Sequence, residues 1–247
     1  MARRDEIIAF ADELLDVGAF RDYGPMGMQV VGADEVSKIV CAVSASRELF
    51  EHAAAADVQL VLVHHGLFWD SEPRTVDGRM KARLQTLFDA DITLVAYHLA
   101  LDAHLEIGNN ALLARELGVR VEGPFGDVGV GGALTQPVTI GELAAAVART
   151  VDREPLVFAD GPERIERVAI VSGGGASRLS RAAAEGYDVL VTGEAEEPTM
   201  MAARELGVHV VAGGHYATER LGVQALAERI ADRFGVAWEF VELPNPI

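Results

Sequence analysis

The chain has 247 residues, half of them hydrophobic, with 38 Asp+Glu against 21 Lys+Arg and a formal net charge of −17. That length suffices for one large or two small α/β domains. So acidic a surface excludes binding through a broad phosphate-facing surface, to nucleic acid or anionic lipid, but not a small anion held locally by metal or backbone amides.

A single cysteine, Cys41, leaves no intrachain disulfide. The N-terminus lacks a long apolar stretch, and no apolar run approaches the roughly 18 residues of a membrane helix. A cytoplasmic protein is expected.

Apolar residues at Ile7, Ile8, Ala11, Leu14 and Leu15 predict an amphipathic helix over 4–17. A turn-rich loop from Tyr23 to Gly32 then runs into a short strand. Ile39 to Val43 reads as a strand, Ser46 to Ala56 as a helix capped near Ser44 or Ser46, and Val58 to Val63 as a central strand. A polar loop over 71–78 precedes a helix over 79–90 and a strand from Ile92 to Tyr97. Leu99 to Asn109 is a ligand-rich loop, followed by a short helix to 117.

The glycine and proline of 119–137 suggest a crossing between lobes. Helices are predicted over Thr139–Thr150, Ala176–Glu185, Thr199–Leu206 and 219–234. Strands are predicted at Val157, Arg167–Val171, Asp188–Val191, Val208–Ala212 and Val236–Val241. This alternation predicts mostly parallel α/β layers. The expected lobes are 1–125 and 126–247, with the C-terminal segment packing back on the first.

The chain also repeats itself. Lys38-Ile39-Val40-Cys41-Ala42-Val43-Ser44 resembles Arg167-Val168-Ala169-Ile170-Val171-Ser172, and 20 residues separate Ser44 from His64 as they do Ser172 from Thr192. Val95-Ala96-Tyr97-His98 resembles Ala212-Gly213-Gly214-His215, and each histidine precedes a carboxylate by four residues, Asp102 and Glu219. Two similar lobes are expected.

The chemistry gathers at strand ends, where open α/β sheets hold ligands. Leu60-Val61-Leu62-Val63 runs straight into His64-His65-Gly66. His64, His65, His98 and Asp102 from one lobe, with His215 and Glu219 from the other, can converge in a cleft between the lobes. Imidazole and carboxylate without thiolate suit Zn, Fe, Mn, Co or Ni. So many donors exceed one tetrahedral zinc and fit two ions sharing a bridging oxygen.

These motifs resemble the Nif-three-like family of dinuclear-metal proteins, often labelled GTP cyclohydrolase 1 type 2 homologue, in its short bacterial form. The likeness spans Gly27-Met28-Gln29-Val30, Val63-His64-His65-Gly66-Leu67-Phe68-Trp69, His98-Leu99-Ala100-Leu101-Asp102, Thr192-Gly193-Glu194, Gly214-His215-Tyr216-Ala217-Thr218-Glu219-Arg220 and Pro244-Asn245-Pro246. The resemblance implies metal ligation by His64, His65, Asp102, His215 and Glu219, with His98 as proton shuttle or outer ligand. It also implies a homohexameric ring whose metal sites face an inner cavity. One departure is Met200-Met201, where relatives commonly carry a histidine.

The expected function is a dinuclear metal-dependent hydrolase that uses a metal-bridged water or hydroxide on a small molecule. GTP, another nucleotide, a cyclic amide and a phosphoester all suit it. His98 would shuttle a proton and Glu194 would orient a histidine or, alternatively, serve a helix N-terminus. The alternative function is a metal-binding scaffold or regulatory protein. A third option, nucleic acid in the ring's cavity, conflicts with the charge, and Arg74, Arg79, Lys81 and Arg83 read as a solvated helix face.

Ser172-Gly173-Gly174-Gly175-Ala176-Ser177 either cradles a phosphate or makes a tight turn. Phe68 and Trp69 either wall the cleft and stack on a base or pack between subunits. His104 reads as a loop-surface residue, His52 and His209 as structural, Cys41 as core, and Glu106, Asn109 and Asn110 as helix caps.

Overall fold

The computed structural model describes residues 1–247. In chain order the elements begin with β1 (Ala2–Arg3), α1 (Arg4–Leu14), β2 (Gly27–Val30), β3 (Glu35–Val36), β4 (Lys38–Ser44), α2 (Arg47–Ala55), β5 (Leu60–His65), α3 (Gly78–Asp89), β6 (Thr93–Ala96) and α4 (Leu99–Ala103). They continue with α5 (Asn109–Glu116), β7 (Val119–Phe125), β8 (Gly129–Val138), α6 (Ile140–Val151), β9 (Leu156–Phe158), β10 (Ile165–Val171), α7 (Leu179–Ala184) and β11 (Val189–Thr192). The last are α8 (Thr199–Leu206), β12 (His209–Ala212), α9 (His215–Thr218), α10 (Arg220–Phe234) and β13 (Ala237–Phe240). The chain divides into one unit of Met1–Leu101 and Gly222–Leu243 and another of Asp102–Leu221 and Pro244–Ile247.

The first unit holds a five-stranded sheet in the order β13-β4-β5-β6-β2. Its first three junctions are parallel and the last antiparallel. Leu60 to Val63 of β5 are each at most 1% exposed, because both neighbours and both faces are covered. Val61 and Val63 pack with Leu49, Phe50 and Ala53 of α2 and Met80 and Leu87 of α3. Each of those helices has a side-chain cap: Ser46 Oγ accepts from the Leu49 N–H at 3.1 Å, and Asp77 Oδ1 from the Met80 N–H at 2.7 Å. Alternate residues Ile39, Cys41, Leu60 and Leu62 face the other way, equally buried. The apolar stripes of α1 (Ile7, Ala11) and α10 (Val223, Leu226, Ile230) are buried too. Those two helices meet through Phe10 and Phe234, edge to face at 5.6 Å.

The second unit holds six strands in the order β7-β8-β10-β11-β12-β9. The centre, β10-β11-β12, is parallel, with antiparallel strands added at both edges. Val168, Ile170, Val189, Val191 and Val211 share a core with Leu143, Val147 and Val151 of α6. A capping box starts α6: Thr139 Oγ1 accepts from the Glu142 N–H, and Glu142 accepts from the Thr139 N–H at 2.7 Å. Ala169, Val171, Leu190 and Val210 share another core with Leu179 and Ala203.

The two units repeat one topology. In each, three successive parallel strands (β4-β5-β6, β10-β11-β12) receive an earlier strand (β2, β9) antiparallel on the third. A helix precedes that earlier strand (α1, α6), two connect the parallel strands (α2 and α3, α7 and α8), and a short one follows (α4, α9). The fold is thus mixed α/β with mostly parallel sheet centres, as the alternation predicts.

The stretch 119–137 is no crossing. It forms the β7–β8 hairpin of the second sheet. Its glycines give room for close packing: a Cβ at Gly131 would run into the Tyr187 ring, and one at Gly132 into the Arg120 carbonyl. The unit boundary follows Leu101 rather than residue 125, and the return of Gly222–Leu243 seats β13 beside β4. No helix is long and apolar enough to cross a membrane.

Cys41 lies wholly buried in β4, and burial pushes its thiol up to about 12. The folded protein is therefore expected to leave its thiol unmodified by a thiol-specific chromogenic disulfide at neutral pH, with one equivalent released on unfolding in guanidinium.

Candidate metal centre

Strand register fixes the histidines of the first unit. The β4–β5 pairing sets Ser44 opposite His65, and Ser44 Oγ lies 3.0 Å from His65 Nδ1. The β5–β6 pairing sets Val63 opposite Ala96, which brings the Tyr97 carbonyl to 2.8 Å from His64 Nδ1. A carbonyl only accepts, so His64 carries its proton on Nδ1 and presents the Nε2 lone pair. His98, directly beyond β6, has its Nδ1 2.8 Å from Asp22 Oδ1, while Asp22 Oδ2 accepts the Leu99 N–H at 2.8 Å. Burial alone would raise the Asp22 carboxyl, but the His98 and backbone hydrogen bonds outweigh it and hold the group below its ordinary value.

The ligand atoms of His64, His65 and His98 lie within 4.8 Å of one another, so these three could hold a metal ion. Gly66 completes the motif for a steric reason. Gln29 bridges the Leu67 N–H (2.7 Å) and the Pro25 carbonyl (2.8 Å), and a Cβ at Gly66 would strike its amide. Tyr97 is pinned by its phenol, which donates to Asp12 Oδ1 at 2.7 Å.

The second unit builds its donors on the equivalent strand ends. His215 opens α9 beyond β12, its Nδ1 2.8 Å from Glu194 Oε1 and its Nε2 3.2 Å from Glu219 Oε2. Burial lowers the His215 imidazolium, but Glu219 and then Glu194 overcome this and push it up to about 9. Glu219 is only 3% exposed and Asp102 5%, so both are carboxylates held away from water. Asp102 Oδ1 accepts from Asn109 Nδ2 at 2.8 Å and lies 3.4 Å from Ser172 Oγ. Gly173 has φ +61°, and a Cβ there would run into Glu219 Oε1. The first unit therefore offers three imidazoles, that of His64 buried, and the second a half-buried imidazole with two buried carboxylates, donor types chemically suited to a first-row transition ion.

A profile of Duf34/NIF3 (NGG1p interacting factor 3) matches residues 2–246. The chain belongs to the DUF34/NIF3 family. A relative from Pseudomonas aeruginosa strain PAO1, named GTP cyclohydrolase 1 type 2 homolog, is 43% identical over 245 residues, covering 97% of each chain. The solved structure of protein ybgI, described as of unknown function, is 42% identical, with a TM-score of 0.96 and full coverage of both chains. That of TTHA1606 from Thermus thermophilus is 38% identical, with a TM-score of 0.93 and full coverage.

Against this family background, several sequence expectations change. Asn109 and Asn110 are not caps of α5, whose N-cap is Gly108. Asn109 serves Asp102, and Asn110 ties the Asp102 and Val128 carbonyls to the Ser172 N–H. The loop 172–175 is a turn, not a phosphate cradle. The N–H groups of Ser172, Gly173 and Gly175 go to Asn110, Thr218 and Thr192, and the Gly173 carbonyl accepts from Gly193 and Glu194.

His104 caps its own loop, Nδ1 accepting from the Glu106 and Ile107 N–H groups. His209 is structural, between the Gly161 N–H and the Pro162 carbonyl, and His52 pairs with Glu239. Met200 and Met201 lie exposed on α8. Asp22 and Ser44 escaped the sequence reading as histidine partners. Asp22 lies 76 residues from His98 and carries no motif.

Two outcomes follow for this family member. Glu194→Gln is expected to lower metal affinity about 10- to 100-fold, measured by competition with a chromogenic chelator, because His215 loses its charged anchor. Gly173→Ala is expected to destabilise the metal-free protein by more than about 1 kcal/mol in urea unfolding, since its φ is positive and its Cβ has no space.

Proposed function

We propose that this protein is a metal-dependent hydrolase in which His64, His65, Asp102, His215 and Glu219 hold two divalent transition-metal ions, drawn from Zn, Fe, Mn, Co and Ni. One observation carries the reading. At the strand ends, His64, His98 and His215 each have Nδ1 against an oxygen acceptor and His65 has it against a hydroxyl, the outer support that metal-binding histidines require. Five protein donors without thiolate exceed one tetrahedral zinc and suit a pair of ions.

When bound, such ions acidify water and polarise an ester or amide oxygen. The chain's own residues do the rest. His98, oriented by Asp22, takes up a proton at Nε2 and delivers it to the leaving group. Glu194 holds the His215 ring in place. The acidic surface directs the reaction to a small molecule: GTP, as the relatives' name suggests, another nucleotide, a cyclic amide or a phosphoester. The working form in this reading is a homohexameric ring in the cytoplasm.

A scaffold or regulatory role is the second reading, favoured by the family's description as an interacting factor. Metal analysis of purified protein, with turnover of GTP, a cyclic amide and a phosphodiester, separates the two. The hydrolase reading expects about two ions per chain, lost together with turnover in His64→Ala, and ions kept but turnover reduced about 100-fold or more in His98→Ala. Two ions with no turnover of any substrate class would favour the scaffold.

A further inference from the structure

Beside the histidines of the first unit lie two hollows of very different size. The recess that reaches His64 and His98 holds only about 10 Å³, room for roughly one water. The neighbouring cavity holds about 250 Å³ and has no histidine in its wall. Pro25, Phe68 and Trp69 line both. Trp69 stands edge-on to His98, ring centroids 5.2 Å apart at 88°, and lies 6.0 Å from His65. Phe68 is 37% exposed, an apolar ring left in water. Asp70, Glu72 and Arg74 add hydrogen-bond acceptors and a guanidinium to the same cavity.

A cavity of this size is below the roughly 300–1,000 Å³ typical for drug-sized ligands, so it takes one ring system. The recess takes no ring at all. We propose that the cavity walled by Phe68 and Trp69 is the subsite for a planar heteroaromatic ring, and that the bond cleaved lies outside that ring, in a phosphoester attached to it. This rests on the hydrolase reading and narrows it: an exocyclic phosphoester replaces ring opening as the substrate class. Phe68 and Trp69 stack on the ring, the acids accept from its N–H edge, and Arg74 is the nearby cation for anionic substituents. In the reaction, water oxygen bonds to phosphorus and the P–O bond to the ring-bearing group breaks. One water proton ends on the departing oxygen and the other stays with the phosphate product.

The test uses metal-loaded full-length protein. Trp238→Phe leaves Trp69 as the one tryptophan, since the chain has two. Guanosine monophosphate and adenosine monophosphate are expected to quench its fluorescence, and glycerol phosphate is not. Trp69→Leu and Phe68→Ala should raise KM for the aromatic phosphoesters about 5- to 100-fold more than KM for glycerol phosphate, with Trp69→Phe restoring most of that difference.

Equal effects on aromatic and non-aromatic substrates would overturn the subsite while leaving the hydrolase standing, as would absent quenching in an active, metal-loaded protein. Formation of a ring-opened product from GTP would overturn the exocyclic assignment. Quenching without metal or turnover would sink the hydrolase reading but keep the ring site.

Discussion

Everything at the strand ends depends on one constraint: an imidazole presents a chosen nitrogen in a fixed direction when its other nitrogen is held. The fold supplies that hold through backbone register. Parallel pairing of β5 with β6 delivers the Tyr97 carbonyl to His64, and pairing of β4 with β5 delivers Ser44 to His65. A one-residue slip would turn each side chain to the opposite face and lose both. The buried aliphatic run Leu60–Val63 makes such a slip costly, because every residue in it is packed on its own face. Core packing and ligand geometry are therefore one problem in this chain.

The same logic recurs in the second unit with different residues. Its middle strand ends in Thr192-Gly193-Glu194 where the first ends in histidines, so the repeat conserves position and not chemistry. Glu194 then becomes the anchor of His215, doing for it what a carbonyl does for His64. Small residues make this packing possible. Gly193 and Glu194 both donate to the Gly173 carbonyl, and Gly173 itself yields the space that Glu219 occupies.

Much of this was legible in the sequence because the signals were local. Aliphatic runs marked the strands, the spacing Ser44–His64 and Ser172–Thr192 marked the repeat, and the histidine-plus-four-carboxylate pattern marked the donors. Non-local features were hidden. Asp22 reaches His98 only because the loop before β2 folds back to the end of β6, and no motif announces it. Asn109 looked like a cap because asparagine often is one, yet the nearby Asp102 carboxylate offered a charge-assisted bond. Glycine in 119–137 suggested a linker, whereas in a hairpin pressed against Tyr187 it supplies space. Composition could not distinguish those two uses.

The central claim is that five strand-end and helix donors serve two ions. Anomalous diffraction at the metal absorption edge, on crystals of reconstituted protein, tests it most directly. The account predicts two peaks per chain, with His64, His65, Asp102, His215 and Glu219 in the coordination shells and both imidazoles of the His-His pair bonded through Nε2. A single peak closed by four protein donors, or no peak after reconstitution, would contradict it.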